Sequence, residues 1–317
     1  MGVSVRYRAQ WARHRRFRKH RRGLVAVVGT LLSLLVFLSL FGTFLTFYLP
    51  LWMSDNEATF TGGVSASLAQ LQSNMVLQAE TGAPPVLSTP FTMSSAAVPL
   101  LSVPTTGTLG FLPRTAGASV SLVTSPNFLN ASYKYLYKQN LGGSLGTLLV
   151  SLPNRYFSAT NFELEDGAVI QTQGDTNQLV AYPPIFELQK TGAELSLTLM
   201  LVQMFGNATR LTSPGTIEVY STLLGETQTL RNNNSGVVTS FFLNLTTHYP
   251  CAWTTFFTQS RIAANVNSTQ MQITSLDTSG CVTTGGLAKT VNIYISNIQS
   301  LTLILANFQV SAGIGVV

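Results

Sequence analysis

GLVAVVGTLLSLLVFLSLFGTFLTFYLPLWM, which runs from Gly23 to Met53, contains no charged residue. As a helix it extends about 45 Å, whereas the apolar core of a bilayer is only about 30 Å thick. The stretch is therefore long enough to cross a membrane with residues to spare. An excised secretory signal has an apolar region of about 7 to 15 residues and a small-x-small site after it. This run is far longer, and Asp55-Asn56-Glu57-Ala58 beyond it offers no such site. The reading is a transmembrane helix over 24–53.

On its N-terminal side the chain is strongly basic. Arg6, Arg8, Arg13, Arg15, Arg16, Arg18, Lys19, Arg21 and Arg22 supply nine of the eighteen Lys and Arg residues. The formal charge of +6 and the pI near 9.5 therefore belong to residues 1–23. The remainder carries nine basic against twelve acidic residues, a net −3. Basic residues beside an apolar helix mark its cytoplasmic end, and they attract anionic lipid headgroups. Asp55 and Glu57 follow the other end, where Tyr48 and Trp52 fit an aromatic belt. The expected placement is single-pass in the cell membrane, with a cytoplasmic leader and the C-terminal part outside. Membrane lipids are thus the expected partner, and nucleic acid is not.

Beyond the span, Phe60, Val64, Leu68, Leu71 and Met75 recur at helical spacing. They predict a helical stalk over 54–81, interrupted at Gly62-Gly63, until Pro84, Pro85 and Pro90 end it. From there the period changes to two. Leu195, Leu197, Leu199 and Leu201 alternate with Ser196, Thr198 and Met200, and Val291, Ile293 and Ile295 with Asn292, Tyr294 and Ser296. Asp166-Gly167 between two apolar runs signals a hairpin, because a type I′ turn needs positive φ at both central residues. The expected fold class is mainly β: an N-terminal transmembrane, pilin-like helix followed by an antiparallel β-sandwich-like extracellular domain over 82–317, of one or two packed subdomains. Charged residues are only 9% of the chain and apolar ones 45%, which describes an uncharged polar surface over a real core.

An external domain suggests two modifications. Cys251 and Cys281 are the only cysteines and form the candidate disulfide. Asn130, Asn207, Asn233, Asn244 and Asn267 each open an N-x-S/T sequon and are candidate glycosylation sites.

Arg21-Arg22-Gly23 running directly into the apolar helix resembles the class III leader of archaeal type IV pilin-like proteins. That resemblance implies processing between Gly23 and Leu24, with Arg22, Gly23 and Leu24 as the recognised residues, and packing of the helix against other pilin-like subunits. The glutamate found near the fifth mature position of bacterial pilins has no counterpart here. Ser151-Leu152-Pro153-Asn154-Arg155-Tyr156-Phe157 and Glu165-Asp166-Gly167-Ala168-Val169-Ile170 resemble the central block of archaeal surface proteins with such leaders, as do Val64 to Leu77 and Pro90 to Phe111.

Sites of chemistry are sparse. Gly142-Gly143-Ser144-Leu145-Gly146 matches a nucleophile elbow, with Asp166 or Asp175 and His248 in triad order, but the surroundings read as a glycine-rich loop before antiparallel strands. His248 is the only histidine outside the leader. Glu163, Glu165, Asp166 and Asp175 form the densest acidic group, which reads as a solvated strand face rather than calcium ligands. Tyr133, Tyr135 and Tyr137 share one strand face, a packing surface or a platform for carbohydrate. The expectation is no catalytic residue, no metal and no cofactor. The chain reads as a structural or interaction protein of the cell surface that meets other pilin-like subunits or envelope components; the alternative is an uncleaved anchored module binding polysaccharide or another envelope protein.

Overall fold

The computed structural model describes residues 25–82, 85–99, 101–113, 117–124, 131–133, 144–174, 177–192, 194–231, 238–275 and 288–314. Helix α1 covers Val25–Thr81, and the chain divides into two compact units, Met1–Ser54 and Asp55–Val317.

In the first unit the helix is long and apolar enough to cross a membrane, with a mean hydropathy of 2.4 over its most apolar window. From Val25 to Phe41 its large side chains are exposed, Leu35 by 63% and Phe37 by 61%. The hydroxyls of Thr30, Thr43 and Thr46 donate back to the carbonyls of Val27, Ser39 and Gly42. Each is thus satisfied without water, as an apolar solvent requires. At Phe44–Tyr48 the helix widens to a π turn closed by the Leu49 N–H donating to the Phe44 carbonyl. Pro50, which has no N–H and crowds the preceding turn, follows directly and accounts for it.

The second unit is mainly β. Its strands are β1 (Leu87–Thr92), β2 (Thr108–Pro113), β3 (Gly117–Thr124), β4 (Ala131–Tyr133), β5 (Ser144–Leu152), β6 (Thr160–Glu165), β7 (Ala168–Gln173), β8 (Asn177–Tyr182), β9 (Phe186–Thr191), β10 (Glu194–Gly206), β11 (Thr209–Thr212), β12 (Thr216–Arg231) and β13 (Val238–Thr247). Helix α2 (Pro250–Ala263), β14 (Met271–Ser275) and β15 (Lys289–Ile314) complete it. All fifteen strands join one branched sheet, whose main path is β4-β3-β13-β15-β10-β5-β6-β7-β8.

The long β15 organises this sheet. Its first half lies between β13 and β14, both antiparallel to it. Its second half pairs with β12 antiparallel and with β10 in parallel. The β10–β15 pair makes the sheet mixed, which an all-antiparallel reading of the alternation does not anticipate. Two slips inside β15 hide its length. Ile298 shares a core with Ile295 and Leu301, so the alternation shifts at Asn297, where φ is 61°, and again beside Ser300, where the register to β10 jumps.

Two cores occupy opposite faces of the central strands. Leu197, Leu199 and Leu201 of β10 join Trp253 and Phe257 of α2. Met200, Val202 and Met204 join Phe60, Val64, Leu68, Leu71 and Met75 of α1. Strand alternation forces this division, so the helical stripe read from the sequence is core. Burying each such side chain contributes about 1.5–3 kcal/mol. That gain overrides the poor helix propensity of Gly62 and Gly63, through which α1 runs unbroken. Asp166 and Gly167 take φ of 48° and 86° and close the β6–β7 hairpin.

Candidate functional site

Two sets of acidic side chains are held in opposite ways. Glu57 in α1 is fully buried. Its Oε2 accepts the backbone N–H groups of Arg155 at 3.0 Å, Tyr156 at 2.7 Å and Phe157 at 2.8 Å, and the Thr105 hydroxyl donates to its Oε1. Successive N–H groups turned inward make an anion nest. The adjacent Asn154 fixes that loop by donating to Thr61 Oγ1 at 2.9 Å and to the Ser158 carbonyl at 3.1 Å. Burial pushes the Glu57 pKa up, but the donors from Thr105, Arg155, Phe157 and Tyr156 outweigh it and hold the carboxyl below 4.5. The segment Ser151–Phe157 therefore locks the helix to the loop between β5 and β6.

Glu163, Glu165 and Asp166 form the second set, on β6 and its turn. The sequence reading of a solvated face is corrected here, since all three are buried. Phe162 and Leu164 fill one core from β6, and Glu163 and Glu165 point to the strand's other face, where Tyr249 and Trp253 reach them. Thr147 Oγ1 and the Tyr249 hydroxyl donate to Glu163, and Trp253 Nε1 donates to Glu165 Oε1 at 3.2 Å. Glu165 Oε2 and Asp166 Oδ2 are buried without a hydrogen-bond partner. Burial, then the charges of Asp166 and Glu163, raise the Glu165 pKa well above 4.5. Burial raises that of Asp166 to about 7. Protonation of Glu165 and Asp166 relieves the crowding, because a neutral acid tolerates an apolar setting. Among the described residues no group of three His, Cys, Asp or Glu is arranged to hold a metal ion.

The elbow-like motif is not built as one. Ser144 opens strand β5 instead of joining a strand to a helix, while Gly142 and Gly143 lie outside the described residues. Gly146 has a packing reason: a Cβ there meets the Leu112 carbonyl oxygen at 2.3 Å and the Phe111 ring at 2.8 Å. Asp166 is spent on the hairpin turn, and His248 precedes α2.

No family model, curated protein or solved structure matches this chain.

The remaining sequence candidates are scattered. Arg22, Gly23, Leu24, Asn130, Asn233, Asp175, Tyr135, Tyr137 and Cys281 lie outside the described residues. Tyr133 stands in β4, and no free cysteine occurs among the described residues. Asn207 and Asn267 are exposed, and Asn267 Oδ1 already accepts the Thr269 hydroxyl at 2.8 Å. Asn244 lies on β13, at a sheet face that the sequence reading passed over. There the Phe242 and Tyr294 rings meet with centroids 4.6 Å apart beside a recess of about 540 Å³. Phe242 and Tyr294 are 52 residues apart in the sequence and become neighbours only through the β13–β15 register.

Proposed function

We propose that this chain is a pilin-like structural or interaction protein of the cell surface, held by the apolar part of α1 with its β domain outside the cell. The observation that carries the reading is the exposed, uncharged helix from Val25 onward, whose side chains need an apolar surround. The arginine-rich leader before it supports a cytoplasmic N-terminus. A disulfide between Cys251 and Cys281 and glycans on the sequons belong to the same reading, because both suit an oxidising exterior. Processing between Gly23 and Leu24, recognised through Arg22, would free the helix to pack against other subunits.

The mature N-terminus tests this directly. Mass spectrometry of sheared surface material is expected to yield a peptide beginning at Leu24. An intact leader confined to the membrane fraction would replace assembly by simple anchoring, and a chain with no membrane association would overturn both.

A further inference from the structure

We propose that the face of the sheet formed by β13, β15 and β14 is a binding site for a neutral saccharide. The strand register puts Phe242, Tyr294 and Gln272 in one row across three strands, and Asn244, Asn292 and Thr274 in the next. Residues two apart on a strand share a face, so these six side chains form a continuous grid. The intervening Phe241, Leu243, Ile293 and Ile295 point into the core behind it, which makes the backing rigid.

The chemistry of the grid is selective. Phe242 is 37% exposed, and its ring meets Tyr294 at 45°, so the pair presents an apolar patch to solvent. Tyr294 is held in place by a hydrogen bond of 3.1 Å between its hydroxyl and Ser240 Oγ. Around the patch stand three carboxamides and a hydroxyl, from Asn244, Asn292, Gln272 and Thr274. A carboxamide offers both donors and an acceptor, which matches the paired hydroxyls on a sugar ring, while the ring's C–H face stacks on an aromatic side chain. None of the residues lining the recess is charged, so nothing there offsets the desolvation of a phosphate, sulfate or uronate. The volume of about 540 Å³ lies within the range of small-ligand sites.

Two sources present this chemistry. One is a glycan of the surroundings. The other is a glycan carried by the chain itself, because Asn244-Leu245-Thr246 is a sequon whose Asn and Thr both project onto this face. A sugar on Asn244 would emerge within the grid.

The test uses full-length protein in lipid nanodiscs, prepared without glycoside detergents, and panels of neutral gluco-, manno- and galacto-oligosaccharides, with an oligouronate as control. Calorimetric titration is expected to show binding of at least one neutral panel and none of the uronate. The variants Tyr294→Ala and Phe242→Ala should each weaken it about tenfold, with unfolding curves showing that the domain stays folded. Thr246→Val separates the sources, since it removes the sequon and keeps the Asn244 carboxamide. Binding only after Thr246→Val, with a glycan found on wild-type Asn244, identifies the chain's own sugar as occupant; equal binding by both proteins identifies an external one. The proposal is overturned if neither protein binds a neutral saccharide, if the uronate binds as well, or if binding survives the double aromatic variant. A failure of binding leaves the anchoring of the chain untouched, because the grid lies in Asp55–Val317 and the apolar helix in Met1–Ser54.

Discussion

Helix α1 carries two apolar patterns that call for two different solvents. In Val25–Ser54 apolar residues surround the helix and charge is absent, and Leu31, Leu35 and Phe37 stand exposed. In Asp55–Thr81 they narrow to a single stripe, with Val64, Leu68, Leu71 and Met75 no more than 1% exposed. Both are helical, the first with a π turn at Phe44–Tyr48. The difference teaches that the angular spread of apolar residues, more than their number, decides whether a helix needs lipid or a sheet to pack on.

Charge placed in the first region gives the largest expected effect. Leu34→Lys with Phe37→Lys should raise the cost of membrane insertion by about 5–7 kcal/mol, moving the chain out of the membrane fraction. The denaturation midpoint of the β domain should stay unchanged, because these residues contribute nothing to its cores. The second region should respond the other way. Leu68→Ala should destabilise the domain by about 2–5 kcal/mol in urea unfolding and leave membrane partition as it was.

Glu57 sharpens the contrast, since it stands where the stripe begins and is held by polar contacts alone. Glu57→Ala leaves three backbone N–H groups and the Thr105 hydroxyl without their acceptor, an expected loss of about 3 kcal/mol. Its lowered pKa sets a direction with pH. The stability it contributes is present above 4.5 and lost as pH falls through the folded-state value below that.

Glu165 and Asp166 run opposite. Raised folded-state values mean that the protonated acids favour the fold. Their contribution is full below the ordinary carboxyl range and is lost as pH rises, through about 7 for Asp166. The domain should therefore be most stable near pH 4.5 and lose stability as pH rises from there through about 7. Glu165→Gln mimics the protonated acid and should flatten the alkaline limb. Thermal melts across pH 3 to 9 would check both limbs.

Features with a local signature were legible in the sequence. The long apolar helix, the stripe from Phe60 to Met75 and the Asp166-Gly167 hairpin each rest on residues a few positions apart. The parallel β10–β15 pairing leaves no local mark, because the alternation of Leu197 to Leu201 suits either direction. The continuity of β15 was hidden by its slips around Asn297. The burial of Glu163 and Glu165 was unreadable for a different reason: their donors, Thr147, Tyr249 and Trp253, come from β5 and the start of α2. The Glu57 nest likewise joins residues about a hundred positions apart, and the Phe242–Tyr294 pair exists only once β13 meets β15.

Alkaline carbonate extraction combined with protease shaving of intact cells tests the central claim most directly. The account predicts that the chain stays in the carbonate-washed membrane pellet and that external protease cuts within Asp55–Val317 on unbroken cells. A chain released into the carbonate supernatant, or a β domain cut only after the cells are lysed, would contradict it.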